Sequence, residues 1–173
     1  METFKIHFWT FVLPLFAANI IHMVIVKVDF MSELAIPLST RLFGRGKTWR
    51  GFIMLPLLCG IFTFVFRSGI LGIENYAWSF FIGFILGVAY LLGELPNSYI
   101  KRRLGIQSGQ THARYKFLQF IIDKIDSLIV LCLVYFLIAN ISLGMIVTLF
   151  CFSFLVHISF SWLLFRLRIK KSI

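Results

Sequence analysis

Five apolar stretches, near residues 8–26, 52–70, 76–92, 121–139 and 143–165, each reach the about 17–25 residues a helix needs to cross a bilayer. In hydrocarbon every backbone N–H and C=O must be satisfied within the segment, so each stretch is predicted to be a helix. The expected fold is an all-α integral membrane protein of about five transmembrane helices with a polar site facing the cytoplasm. Composition agrees: the chain is 60% hydrophobic and 14% charged, against about 45–50% and about 25% in soluble domains. No repeat, low-complexity tract or linker divides it, and residues 1–173 are read as one membrane-embedded domain. The N-terminus lacks a strong basic segment and a small-residue cleavage site, so the first apolar run is expected to be retained.

Charge sets the orientation. All of the 17 lysines and arginines except Lys5 and Arg67 fall in the first loop, the third loop or the C-terminal tail. Cytoplasmic loops are enriched in these residues, which predicts an N-terminus outside and a C-terminus in the cytoplasm, in the cell (inner) membrane. A net charge of +10 beside so much hydrocarbon reports an anionic leaflet better than nucleic acid, which is not an expected partner. The tail Arg166-Leu167-Arg168-Ile169-Lys170-Lys171 has no acid and reads as a headgroup anchor. Cys59, Cys132 and Cys151 lie in apolar runs without paired spacing and read as small hydrophobes. Gly83 and Gly87 suit close helix contact, and Pro14 and Pro56 mark kinks.

The two basic loops differ from the tail because they mix cations with glycine, acids and hydroxyls. In the first, Gly46-Lys47-Thr48 ends like a nucleotide-binding P-loop, but the required first glycine falls on Arg41 and no strand precedes it. What remains is a glycine-rich segment whose Lys47, Thr48 and Arg50 can face phosphate oxygens. In the third, Glu94, Ser98, Lys101 and Arg102 share one helical face if a helix continues, with Pro96 opening a new helix at the membrane surface. Asp123 and Asp126, three residues apart near the start of the fourth span, face one way. Two such carboxylates repel unless a cation sits between them, and oxygen ligands near phosphate suit Mg²⁺. Dipole complements at a helix start are the simpler reading of the same pair. His7, His22 and His157 stand alone in or beside apolar runs and read as packed or interfacial; His112 lies in the third loop.

The ordered set Gly46-Lys47-Thr48-Trp49-Arg50-Gly51, then Gly93-Glu94-Leu95-Pro96-Asn97-Ser98-Tyr99-Ile100-Lys101-Arg102-Arg103-Leu104-Gly105, then Asp123-Lys124-Ile125-Asp126-Ser127 resembles the CDP-archaeol synthase family, related to phosphatidate cytidylyltransferase. The resemblance covers nearly the whole chain. It implies a Mg²⁺-dependent nucleotidyltransferase that joins CTP to a phosphorylated glycerolipid and releases pyrophosphate. By that resemblance Lys101, Arg102, Asp123 and Asp126 are catalytic; Lys47, Thr48, Arg50, Ser98 and Arg103 bind substrate; and Asp123, Asp126 and Glu94 hold metal. CTP, the lipid phosphate and membrane lipids are the implied partners, and a homodimer is open to it. The chain differs from the archaeal pattern in having Glu94 where aspartate is usual, and Lys124 and Ser127 within the later motif.

Two other readings compete on the residues alone. A glycerol-phosphate acyltransferase is also small and multispanning but needs neither paired aspartates nor metal. A transporter or scaffold without nucleotide chemistry would use acids such as Asp29 and Glu33 as pathway residues.

Overall fold

A computed structural model describes residues 2–108, 110 and 116–166. Helix α1 (Glu2–His7) continues through a π-helical turn, Phe8–Val12, into α2 (Leu13–Lys27). The wider turn lies where Pro14 would otherwise drive its ring into the carbonyl of Thr10. Then follow α3 (Trp49–Gly69), α4 (Tyr76–Arg103), α5 (Lys116–Ala139) and α6 (Leu143–Arg166). Among the described residues there is no strand. The protein is all-α, and Phe4–Lys27, Trp49–Gly69, Tyr76–Arg103 and Leu143–Trp162 are each long and apolar enough to cross a membrane. Helix α5 has the length but carries Asp123, Lys124 and Asp126 in its first half. His112, Arg114 and the basic tail beyond Arg166 lie outside the described residues.

The central helix is α4, which packs on α3 along one side and α5 along the other. Lipid gives helices no hydrophobic reason to associate, so the contacts depend on close backbone approach. A Cβ on Gly83 would stand 2.4 Å from the Cys59 carbonyl oxygen, and one on Gly87 would stand 2.6 Å from Pro56 Cα. Both glycines therefore serve packing, as their position predicts, and Pro56 lies inside α3 at that crossing. Gly83→Ala is expected to lower stability by about 1–3 kcal/mol, read as a fall in unfolding midpoint in detergent. Gly69→Ala, where nothing lies within 4 Å of the added carbon, serves as the matched control and should leave the midpoint in place.

Two sequence expectations are corrected here. Pro96 does not start a new helix; it sits inside α4, which runs unbroken to Arg103. The missing N–H costs one bond, and Asn97 and Lys101 just beyond it are tied to carboxylates of α5, which holds the following turns helical. The helix ends instead at Gly105, left-handed at φ 74°, where Ile106 N–H reaches the Lys101 carbonyl at 3.0 Å and Gly105 N–H that of Arg102 at 3.1 Å. Likewise α5 already covers Lys116, so Asp123 and Asp126 lie in its second and third turns. Dipole complementation fades beyond the first turn, and that simpler reading of the pair is lost.

The first loop is closed by backbone hydrogen bonds from Leu38 N–H to the Lys47 carbonyl, 2.8 Å, and from Trp49 N–H to the Ile36 carbonyl, 3.0 Å. Asp29 sits just beyond α2 with its side chain 70% exposed, outside the helix rather than within the span. Of the cysteines, Cys59 and Cys132 are buried and Cys151 is exposed.

Candidate active site at one end of the bundle

The ends of α4, the first turns of α5 and the first loop meet at the same end of the bundle. Gly93 is the reason α4 and α5 meet so closely: a Cβ there would lie 2.7 Å from Ser127 Cα and 3.0 Å from the Asp126 carbonyl oxygen. One turn further along α4, the Asn97 side-chain amide donates to Asp123 Oδ1 and to Asp126 Oδ2, each at 2.7 Å. The two carboxylates thus present one oxygen each to a common point. Lys101, one turn beyond Asn97, is ion-paired with Asp123. Asn97 did not stand out in the sequence; its signal was its place four residues before Lys101, on the same helical face.

The first loop folds over this end. Lys47 is ion-paired with Glu94, so the structure gives Glu94 a partner across the bundle and not Lys101 or Arg102 on its own helix. Arg102 lies against Gly44, whose φ is 82°, and donates to the Ile106 carbonyl. A Cβ on Gly44 would stand 3.1 Å from Arg102 Nε, so glycine meets both the turn and the close approach. A hollow of about 490 Å³ opens here, lined by Arg41, Arg45, Arg102 and Ser108. Beside it, one of about 560 Å³ is bordered by Ser39, Arg41, Arg102 and Arg103. Arg41 and Arg45 belong to the same glycine-rich segment as Lys47 and Arg50, and the closure of the loop brings them to the hollows.

Besides Lys47, three of the predicted substrate residues have structural partners. Thr48 caps α3, its hydroxyl accepting from Gly51 N–H at 3.4 Å. Arg50 is buried and donates to Asp29 Oδ1 at 2.8 Å and to the Phe30 carbonyl at 3.2 Å, holding the loop to the end of α2. Arg103 donates to the Tyr99 hydroxyl at 2.9 Å and stacks its guanidinium over that ring. Ser98 is half-buried on α4 next to Asn97.

The donor set bears on the metal that such a site implies. Asp123 and Asp126 offer oxygen only, which suits a hard cation. Among the described residues no three His, Cys, Asp or Glu side chains gather into a protein-only cage; Glu94 is ion-paired with Lys47, as Asp123 is with Lys101. Two carboxylates meeting at one point fit Mg²⁺, which characteristically takes one or two carboxylates and completes its shell with water and substrate phosphates.

From Asp123 a cavity of about 210 Å³ runs into the bundle between α2, α4, α5 and α6. Glu94, Asp123 and Lys124 stand at its charged end, and Leu15, Phe16 and Leu128 line its apolar part. Asp123 thus lines this cavity, while the basic hollows lie further along α4, around Arg102, one residue beyond the Lys101 that pairs with Asp123.

The CarS-like family model, CDP-archaeol synthase, matches residues 3–173. A CDP-archaeol synthase of Pyrobaculum islandicum is 31% identical over 131 residues, covering 76% of this chain and 73% of that one. The CDP-archaeol synthase of Sulfolobus acidocaldarius is 30% identical over 144 residues, covering 83% and 80%. That of Pyrococcus abyssi is 33% identical over 108 residues, covering 59% and 61%. No solved structure matches the chain. With the match running through both loops, the paired aspartates and all the membrane helices, this chain belongs to the CDP-archaeol synthase family and is a nucleotidyltransferase.

Proposed function

We propose that the protein transfers the cytidylyl group of CTP to the phosphate of a glycerolipid, releasing pyrophosphate, with Mg²⁺ held by Asp123 and Asp126. The observation that carries this reading is the convergence of those two carboxylates on Asn97, with Asp123 also lining the apolar-walled cavity and paired to Lys101, next to the Arg102 of the basic hollows. A reaction between a water-soluble triphosphate and a lipid phosphate needs such a meeting point at the membrane surface.

In that reaction an oxygen of the lipid phosphate attacks the α-phosphorus of CTP. The bond from the α-phosphorus to its bridging oxygen breaks, and pyrophosphate leaves with the electron pair. The attacking phosphate is already ionised, so no general base is needed, and catalysis rests on positioning and charge neutralisation. Arg41, Arg45 and Arg102 would bind the triphosphate in the hollow they line. Lys101, beside Asp123, would neutralise charge on the transferring group. Lys47 is held near the site by Glu94 and would approach the nucleotide as the first loop closes over it. The metal, when bound, would offset negative charge on the triphosphate and the leaving pyrophosphate.

CTP is supplied from the cytoplasm, so on this reading the end that carries both basic loops would face the cytoplasm, with the N-terminus outside and the C-terminus inside. The test is pyrophosphate release by purified protein supplied with CTP, Mg²⁺ and lipid phosphates in mixed micelles. Release that requires both substrates is expected. Its absence across diacyl, dialkyl and isoprenyl acceptors would refute the reading.

A further inference from the structure

Helix α6 is the least covered of the spans, with 17% of its apolar window buried. Yet Ser153, His157 and Ser161, spaced four apart, form a polar stripe on one face, about 12 Å long, turned into the cavity. Ser153 and Ser161 are 8% and 4% exposed, and the Ser153 hydroxyl has no hydrogen-bond partner among the described residues. Across the cavity stand the Tyr90 hydroxyl, 3.5 Å from His157 Nε2, and Asn19 of α2. Polar side chains facing the interior of a membrane bundle are costly unless something pairs with them.

The charged end of the same cavity carries Lys124, 8% exposed and lying over the Phe120 ring. From Lys124 and Glu94, one helical turn along α5 and α4 reaches Leu128 and Tyr90, so hydroxyls and His157 begin one turn inside the charged end. A cation followed by hydrogen-bond donors matches a ligand with an anionic head followed, a glycerol's length on, by strong acceptors. The space of about 210 Å³ holds a glycerol and its first linkages and leaves the chains in the surrounding lipid.

We propose that this cavity seats the acceptor, and that the acceptor is an ester-linked lipid phosphate, with its phosphate against Lys124 and an ester carbonyl against the Ser153 hydroxyl. An ether oxygen is a weak acceptor and an isoprenyl phosphate has none beyond its phosphate, so either would leave the buried Ser153 hydroxyl unmatched. The inference rests on the reading of a lipid phosphate as acceptor and names its linkage.

Binding without CTP separates the two claims. Purified full-length protein is titrated in micelles with diacylglycerol phosphate and with dialkylglycerol phosphate of matched chain length, and each apparent affinity is read from the shift in unfolding midpoint. The ester lipid should bind about tenfold tighter. Ser153→Ala should erase that ratio, and Lys124→Met should weaken both lipids alike. Should that variant fail to fold, Ser153→Cys, nearly isosteric with a weak donor, should reduce the ratio. Equal binding of the two lipids by the unaltered protein, or an unchanged ratio in the serine variants, overturns the proposal. An ester preference in binding without any pyrophosphate release would support this seat while refuting the cytidylyl transfer.

Discussion

Asp123→Asn is expected to lower kcat/KM by about 10³-fold, or about 4 kcal/mol of transition-state stabilisation, with the helical fold retained. The substitution keeps the size of the side chain and an oxygen that accepts from Asn97, so the α4 to α5 contact survives. It removes one of the two converging negative charges and the partner of Lys101. The Lys101 and Asp123 side chains are 16% and 35% exposed, so loss of the ion pair itself costs about 1 kcal/mol or less in stability. Activity and stability should therefore separate clearly. Asp126→Asn should behave in the same way, and in both variants the Mg²⁺ concentration for half-maximal rate should rise. A loss of activity matched by a collapse of the unfolding midpoint would instead make the pair structural.

Gly93→Val is the second large effect. A Cβ at this position already meets Ser127 Cα at 2.7 Å, and the backbone atoms it meets cannot swing away as a side-chain tip would. Helix α5 must shift, carrying Asp123 and Asp126 from the Asn97 amide. Overpacking of this kind costs about 1–3 kcal/mol in stability, but an ångström of displacement at reacting groups costs on the order of 10²-fold in rate. The variant should thus lose more activity than Gly83→Ala, which crowds α3 against α4 away from the carboxylates. Equal losses in the two would mean that the spacing of α4 and α5 does not position the site.

Much of this was legible in the sequence because membrane helices announce themselves. Length and apolarity located five helices, and charge between them singled out the loops that the structure brings to one end. The paired aspartates were readable because few acids occur and two stand three apart. Contacts between distant segments were not readable. Nothing local shows that Arg50 meets Asp29, that Lys47 meets Glu94, or that Asn97 bridges two carboxylates of another helix. Pro96 misled because its cost is local and the contacts that outweigh it lie on α5. The polar stripe of α6 was present as a four-residue spacing, but His157 drew attention only as a lone residue, since nothing in the sequence says which face of that helix meets the cavity.

The central claim is that the α-phosphorus of CTP passes to a lipid phosphate. CTP labelled at the α-phosphate and CTP labelled at the γ-phosphate, each given to purified protein with Mg²⁺ and diacylglycerol phosphate, test it most directly. The account predicts label in the extracted lipid from the α-labelled nucleotide alone, with the γ-label recovered entirely as pyrophosphate. Label in the lipid from the γ-position, or from neither, would contradict it.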